Sequence, residues 1–448
     1  MHLPDFPAQT AWKHRRLLAT ILFAVGAFVV PALPAIAGLT LEQALHETLT
    51  RNPQLVTLRG ERNVSRAAWW AAQRLPMSLN PVVSIQVSPW TFSGDTRRPL
   101  KTIVTLTVLQ PVEINGAQRY RVAQARAEYT LAEWQLLMAE LRALAETYRL
   151  YETAVYRRER CRVTEDLAKL QEQLLETTRR RVESALSPPS DLILTESEAY
   201  ALRQALLVSR DEYSAAIADL QKQLGLAEYT GTLEIDDPFF FPDSVPEENA
   251  LLTSVLRCHP EIVVAQAQVA AAQAAWRLAR AERIPPVSLG PTYEHNEDGS
   301  TFYGLAMETN VPLYNSGREV AYQREAEYRR ELTRLEQLRQ QTEVRIRVAL
   351  ERFRDTKSRL DEAKKLFKWM EQQIDKLNTL YNAGQTDLLT VLAVRRRFLE
   401  TQYQELDITW ALTQTYADLL EATGGLGLLD DGNESPMPIK RPSEDTVH

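Results

Sequence analysis

The chain has 448 residues, a formal net charge of −7 and only 16 glycines against an abundance of Ala, Leu, Glu, Arg and Gln. That balance favours long helices and speaks against a general nucleic-acid binder, and the length alone allows two to four domains. The two cysteines, Cys161 and Cys258, form neither a disulfide framework nor a zinc signature.

The N-terminal segment reads as a targeting signal. A basic "WKHRR" precedes the apolar "LLATILFAVGAFVV", and "PALPAIAG" ends in Ala35-Ile36-Ala37, an A-x-A cleavage pattern. An uncleaved inner-membrane anchor is the alternative. The apolar run is short for the ~20 residues a span needs, and prolines come after it, so cleavage after Ala37 and export are expected. No cysteine succeeds the site to carry a lipid. Removal of Lys13, Arg15, Arg16 and Asp5 takes the net charge from −7 to −9.

The rest of the chain is a repeat. "LEQALHETLTRNPQL" (41–55) is answered by "ENALLTSVLRCHPEI" (248–262), and "RLPMSLNPVVSI" (74–85) by "RIPPVSLGPTY" (283–293). "QPVEINGAQ" (110–118) is answered by "NVPLYNSGR" (310–318), and "PSDLILTESE" (189–198) by "QTDLLTVLAV" (385–394). The Pro-, Phe- and Asp-rich stretch 225–246 reads as a linker between a first repeat, 38–224, and a second, 247–424. Each repeat is expected to run medium helix, two strands, very long helix, sharp turn, medium helix. The medium helices fall at about 40–75, 190–224, 247–284 and 386–423, and the long ones at about 117–184 and 316–383. Each long helix would reach about 100 Å, and two medium ones end to end would match it.

The long helices have a coiled-coil face. Ile346, Ala349, Phe353, Thr356, Leu360, Ala363, Phe367, Met370, Ile374, Leu377 and Tyr381 alternate spacings of three and four. Leu141, Leu144, Tyr148, Tyr151 and Val155 begin the same pattern in the first repeat. Taken alone, these helices fit an ordinary rod-like coiled coil.

Four short segments break the helical pattern, at about 81–90, 101–110, 286–295 and 301–311. Val83, Ile85 and Val87 alternate with Ser84, Gln86 and Ser88, and Val104, Leu106 and Val108 with Thr105 and Thr107. Val287, Leu289 and Tyr293 alternate with Ser288, Gly290 and Thr292, and Tyr303, Leu305 and Met307 with Gly304, Ala306 and Glu308. Each has the length of a tilted membrane-spanning strand, apolar on one face and small and polar on the other. Half-buried soluble strands alternate too. Four strands cannot close a barrel, and an open edge cannot face lipid. Two chains would supply eight strands and three would supply twelve; only the larger barrel leaves a passage.

The duplicated plan, the opening "LTLEQALHETLTRNPQL" and "LYNAGQTDLLTVLAVRRRFLETQYQEL" resemble the TolC-type outer-membrane efflux channels over about 39–425. "LQPVEINGAQRYRVAQARAE" is more like the heavy-metal cation efflux branch. The resemblance implies a mainly α fold with a transmembrane β-barrel portion: a homotrimer with a 12-stranded barrel in the outer membrane and a periplasmic α-helical barrel below it. It also implies a periplasmic adaptor and an inner-membrane pump, commonly of the resistance-nodulation-division type. The turns after the long helices become the periplasmic tips, where the adaptor docks and the channel is gated. Candidates there are Tyr381, Gly384, Thr386 and Asp387 in the second repeat, and Pro188, Pro189, Asp191, Glu196 and Glu198 in the first. Gly384 suits a left-handed helix end, and Thr386 or Asp387 can cap the next helix. Family members often carry acidic residues about six and nine positions beyond this glycine; here Thr390 and Ala393 stand there. Asp387, Asp191, Glu196 and Glu198 could supply a charged ring instead, or simply a solvated face.

The sequence holds no reactive constellation. The six histidines (His2, His14, His46, His259, His295 and His448) lack ligand spacing, no P-loop, GxSxG or HExxH occurs, and no cofactor or metal is expected. Cys161 falls about 68 Å down its helix from Gly116 and Cys258 about 40 Å before Pro285. Bonded cysteines keep their Cα atoms within about 7 Å, so no intrachain disulfide is expected. The competing reading is a periplasmic coiled-coil adaptor or scaffold, although no lipoyl-like domain flanks the helices. The tail after Gly425 reads as disordered.

Overall fold

The computed structural model describes residues 38–90, 101–185, 187–226, 233–235, 237–242, 245, 247–296, 298–382, 385–386 and 388–424. The expected signal segment, the first hairpin loop, the C-terminal tail, Gly384 and Asp387 lie outside the described residues.

The first repeat opens with α1 (Leu41–Arg51) and α2 (Pro53–Ala72), which lead through a 3-10 turn at Met77–Leu79 into β1 (Val82–Trp90) and β2 (Lys101–Val112). Then come α3 (Ala117–Glu183) and α4 (Pro189–Leu224). The second repeat keeps the same order with α5 (Glu248–Cys258), α6 (Pro260–Ala281), β3 (Val287–His295), β4 (Thr301–Thr309), α7 (Arg318–Asn382) and α8 (Leu388–Thr423).

The first medium helix of each repeat is therefore two helices, where one unbroken helix was expected. Pro53 and Pro260 take the first position of α2 and α6. Proline is welcome there because that N–H has no helical partner, but its ring forbids the preceding residue from staying helical. Asn52 and His259 accordingly leave the helix and cap the next one. Thr40 starts α1 with a capping box closed by Gln43.

The helices stand side by side. α3 packs against α2, α4, α6 and α8, and α7 packs against α6 and α8. Near the sheet the row reads α2, α3, α6, α7; towards the far end it reads α4, α3, α8, α7. Two medium helices thus sit end to end in one column, α2 with α4 and α6 with α8, beside each full-length helix. On α7 the heptad positions Ile346, Ala349, Phe353, Leu360 and Met370 are buried while most of their neighbours face outward. Phe367 stacks on Phe398 of α8, with ring centroids 5.3 Å apart.

The main core lies at the joint between upper and lower columns, around Tyr148, Tyr151, Leu224, Leu251, Phe353 and Tyr416. Each such large side chain contributes about 1.5–3 kcal/mol by leaving water. The linker is strapped over it. Leu39 N–H donates to the Glu234 carbonyl at 2.7 Å, and Leu39 bridges Ile235 in parallel. Arg158 donates to the carbonyls of Ile235 and Asp237, and Tyr148 Oη–H to that of Phe240.

Candidate functional site: the strand sheet and the helical tips

The four strands form one antiparallel sheet in the order β1-β2-β3-β4, so the two repeats meet along the β2–β3 seam. Its register aligns the apolar positions read from the sequence. Ile85 faces Leu106, Leu106 faces Tyr293 and Tyr293 faces Tyr303, a continuous row across the sheet. Val83–Val108 and Leu289–Met307 extend the same face. The opposite face carries Ser84–Thr107–Thr292–Gly304, with the Thr107 and Thr292 hydroxyls 3.1 Å apart. Apolar residues stand in the open: Tyr303 is 82% exposed and Leu305 90%. Among the described residues, β1 and β4 are hydrogen-bonded on one side only.

Gly290 makes the seam possible. A Cβ there would stand 1.7 Å from the Val108 carbonyl oxygen, so β2 and β3 can approach only across a hydrogen. Pro291 beside it has no N–H to offer, and the β2–β3 pairing skips these positions before resuming at Gln110–Leu289.

Two reversals lie at the end remote from the sheet. In the first, α3 ends at Glu183, and Ala185 takes φ 56°, the left-handed region, with its N–H on the Val182 carbonyl. Pro188 caps α4 and Pro189 is its first residue. Asp191 in the first turn donates its N–H to the Pro188 carbonyl and suits the positive helix end. Glu196 and Glu198 come next on α4, both half-buried, while Ile193 and Tyr200 are exposed. In the second reversal, Tyr381 lies in the last turn of α7. Gln385 N–H donates to the Leu380 carbonyl at 3.0 Å, the six-to-one bond that closes many helix ends. Thr386 is half-buried just ahead of α8. Among the described residues, Pro188, Pro189 and Asp191 lie at the first reversal with Glu196 and Glu198 just beyond it on α4, and Tyr381 and Thr386 lie at the second.

Sequence reasoning passed over the joints between stacked helices. Asn52 Oδ1 accepts from the N–H groups of Gln54 and Leu55, and its Nδ2 donates to the Gln223 carbonyl at the end of α4. His259 Nδ1 accepts from the Glu261 N–H at 3.2 Å, and its Nε2 meets the Ala422 carbonyl at the end of α8 at 2.9 Å. One side chain therefore caps the upper helix and holds the end of the lower one, in both columns. The signal was present as "NP" and "HP" at matching places in the repeat. Beneath the strap, Glu152 is fully buried; its Oε1 accepts from the Phe240 N–H and its Oε2 has no partner among the described residues. Burial above all, and Asp237 in addition, push its carboxyl up to about 8, against the Phe240 N–H and Arg158.

An amphipathic sheet, its outer strands paired on one side only among the described residues, is carried on helical columns of about 100 Å. Residues 251–425 match the family model described as outer membrane efflux protein, and the chain is similar to outer-membrane efflux channels. The pyoverdine export outer membrane protein OpmQ of Pseudomonas aeruginosa is 26% identical over 337 residues, 71% of this chain and 69% of that one. The fold matches the outer-membrane channel OprN (TM-score 0.71, 18% identity, 86% of this chain and 90% of that one). It likewise matches the open state of the MtrE outer membrane channel of Neisseria gonorrhoeae (TM-score 0.68, 16% identity, 86% and 88%). Such channels work with an adaptor and an inner-membrane pump in tripartite systems.

Proposed function

We propose that three copies of this chain close a 12-stranded barrel in the outer membrane above a periplasmic helical barrel, forming a passive conduit that a pump drives. The observation that carries this reading is the pair of unpaired edges, β1 and β4, on a sheet with a continuous apolar face. Unpaired backbone groups are prohibitively costly in lipid, so β1 of one copy pairs with β4 of the next. The helical wall continues the seam. Val56 and Val64 on α2 and Leu207 and Val208 on α4 are exposed at one margin, and Val344, Val348 and Trp369 on α7 at the other. The test is single-channel conductance of detergent-purified protein in planar bilayers, with oligomer mass from the same sample. Discrete steps from a trimer are expected; a non-conducting species of other stoichiometry returns the protein to the scaffold class.

The tips dock the adaptor and gate the duct. Pro188, Pro189, Asp191, Glu196 and Glu198 supply one reversal, and Tyr381, Gly384, Thr386 and Asp387 the other. Substituting Gly384 or Asp387 is expected to impair export and leave trimer and insertion intact; loss of the trimer would make the turn structural only. A pump of the resistance-nodulation-division type completes the assembly. Heavy-metal cations are the cargo to which the "LQPVEINGAQ" likeness points, selected upstream of the duct. The match to a pyoverdine exporter favours an organic cargo as the second reading. Export assays in cells carrying the cognate pump, with metal salts against organic substrates, separate the two.

A further inference from the structure

We infer that the α6–α8 joint is an acid-sensitive hinge: protonation of His259 unfastens the sheet-side half of this column from its tip-side half, while the equivalent α2–α4 joint at Asn52 stays closed. The inference rests on hydrogen-bond bookkeeping at one buried ring. His259 is 1% exposed. Its Nδ1 faces the Glu261 N–H and must be the unprotonated acceptor; its Nε2 faces the Ala422 carbonyl and must carry the hydrogen. Only the neutral ring satisfies both. A second proton can go only to Nδ1, where it would face an N–H donor, so the cap of α6 is lost and a charge is left in the joint.

The surroundings do not rescue that charge. Arg142 of α3 and Arg345 of α7 both bind Glu261, at 2.7 and 3.0 Å, so the nearest carboxylate is already committed to two guanidiniums. Glu421 of α8 lines the same small cavity as His259, Arg142 and Glu261, and it lies 3.4 Å from Arg149. Burial holds the imidazole below the ordinary histidine range, with Arg345 acting the same way and the Ala422 carbonyl and Glu261 opposing. The neutral ring's contribution is therefore complete above about pH 6.5, the unfolded histidine value, and is lost as the pH falls through the lower folded value. Glu261 is held below the ordinary carboxylate value and stays ionised over that window.

Gly424, at φ 62°, closes α8 directly against Pro260; a Cβ there would meet the Pro260 ring at 2.4 Å. Gly225, at φ 72°, closes α4 against the end of α1, where a Cβ would stand 2.4 Å from the Arg51 carbonyl oxygen. Each corner pairs a helix-ending glycine with a side chain that caps one helix and bonds the end of the other, Asn52 at one and the titratable His259 at the other, which makes the Asn52 joint an internal control.

The experiment is amide hydrogen exchange on full-length mature protein in detergent at pH 7.5 and 5.5, corrected for intrinsic rates. It tracks peptides across Pro260–Val264 and Leu419–Thr423 against peptides across Pro53–Thr57 and Leu220–Leu224. Protection of the first set is expected to fall severalfold at pH 5.5 with the second unchanged, and His259→Asn is expected to abolish the difference. Equal behaviour of both joints, or a loss that persists in His259→Asn, overturns the hinge. Should that variant fail to fold, Asn52→His is expected to confer acid sensitivity on the other joint, and its absence is equally decisive. The readout needs no pore, so a failure here is distinct from a failure of the channel reading.

Discussion

Gly290 lies so close under the Val108 carbonyl that a methyl group in place of its hydrogen would stand 1.7 Å from the oxygen. The two repeats meet in the sheet at this seam. Gly290→Ala is therefore expected to part β2 from β3 and cost at least about 3 kcal/mol, beyond ordinary overpacking. Gly304→Ala, whose Cβ would meet only the Thr292 methyl at 3.1 Å, is expected to cost less than about 1 kcal/mol. Thermal melts of the two variants in detergent make the comparison.

Ala185 is the opposite case, a side chain where none is wanted. It is exposed and left-handed at the first tip. Relief of the contact between its Cβ and the backbone should make Ala185→Gly more stable by about 1 kcal/mol. An unchanged or lower urea midpoint would show that the tip holds a different backbone in solution.

Glu152 gives a pH dependence of the opposite sign to that of His259. Its folded value is raised to about 8 against an ordinary 4.5, so the neutral acid is the form the core tolerates. Its contribution is complete below about pH 4.5 and is lost as the pH rises through about 8. Glu152→Gln keeps an acceptor for the Phe240 N–H and cannot ionise. Its melting temperature is expected to fall less between pH 6 and 8.5 than that of the wild type; parallel curves would mean that Glu152 is charged and solvated.

Cys161 is a free thiol on α3. Thiol titration of denatured, unreduced protein is expected to find two reactive groups per chain, Cys161 and Cys258. None would contradict the separation of the two cysteines along the columns.

The strands and the repeat were legible because their signals are local and periodic. Period-two alternation in Val83–Val87 and Tyr303–Met307 survives any tertiary context, and the register confirms it residue by residue. The joints were not legible as sites. Asn52 and His259 stand inside runs whose apolar spacing reads straight through them, and the prolines next to them are also tolerated at helix starts. Glu152 was hidden for a different reason. In a helix crowded with Arg and Glu it reads as one more solvated charge, and only the strap at Phe240, 88 residues away, buries it. The acidic candidates at the tips remain a matter of chemistry rather than pattern: Glu196 and Glu198 lie half-buried on α4, and a sequence carries no sign of what a partner will cover.

The β2–β3 seam and the contacts of α3 with α6 and α8 bind the two repeats independently of the segment that joins them. The two repeats are therefore expected to stay together as two chains would if the link between them were cut. A protease site introduced between Leu226 and Leu233 would, once cut, give two bands on a denaturing gel yet one unbroken particle in mild detergent. Each half could then be exchanged for its counterpart from a related channel without redesigning the other.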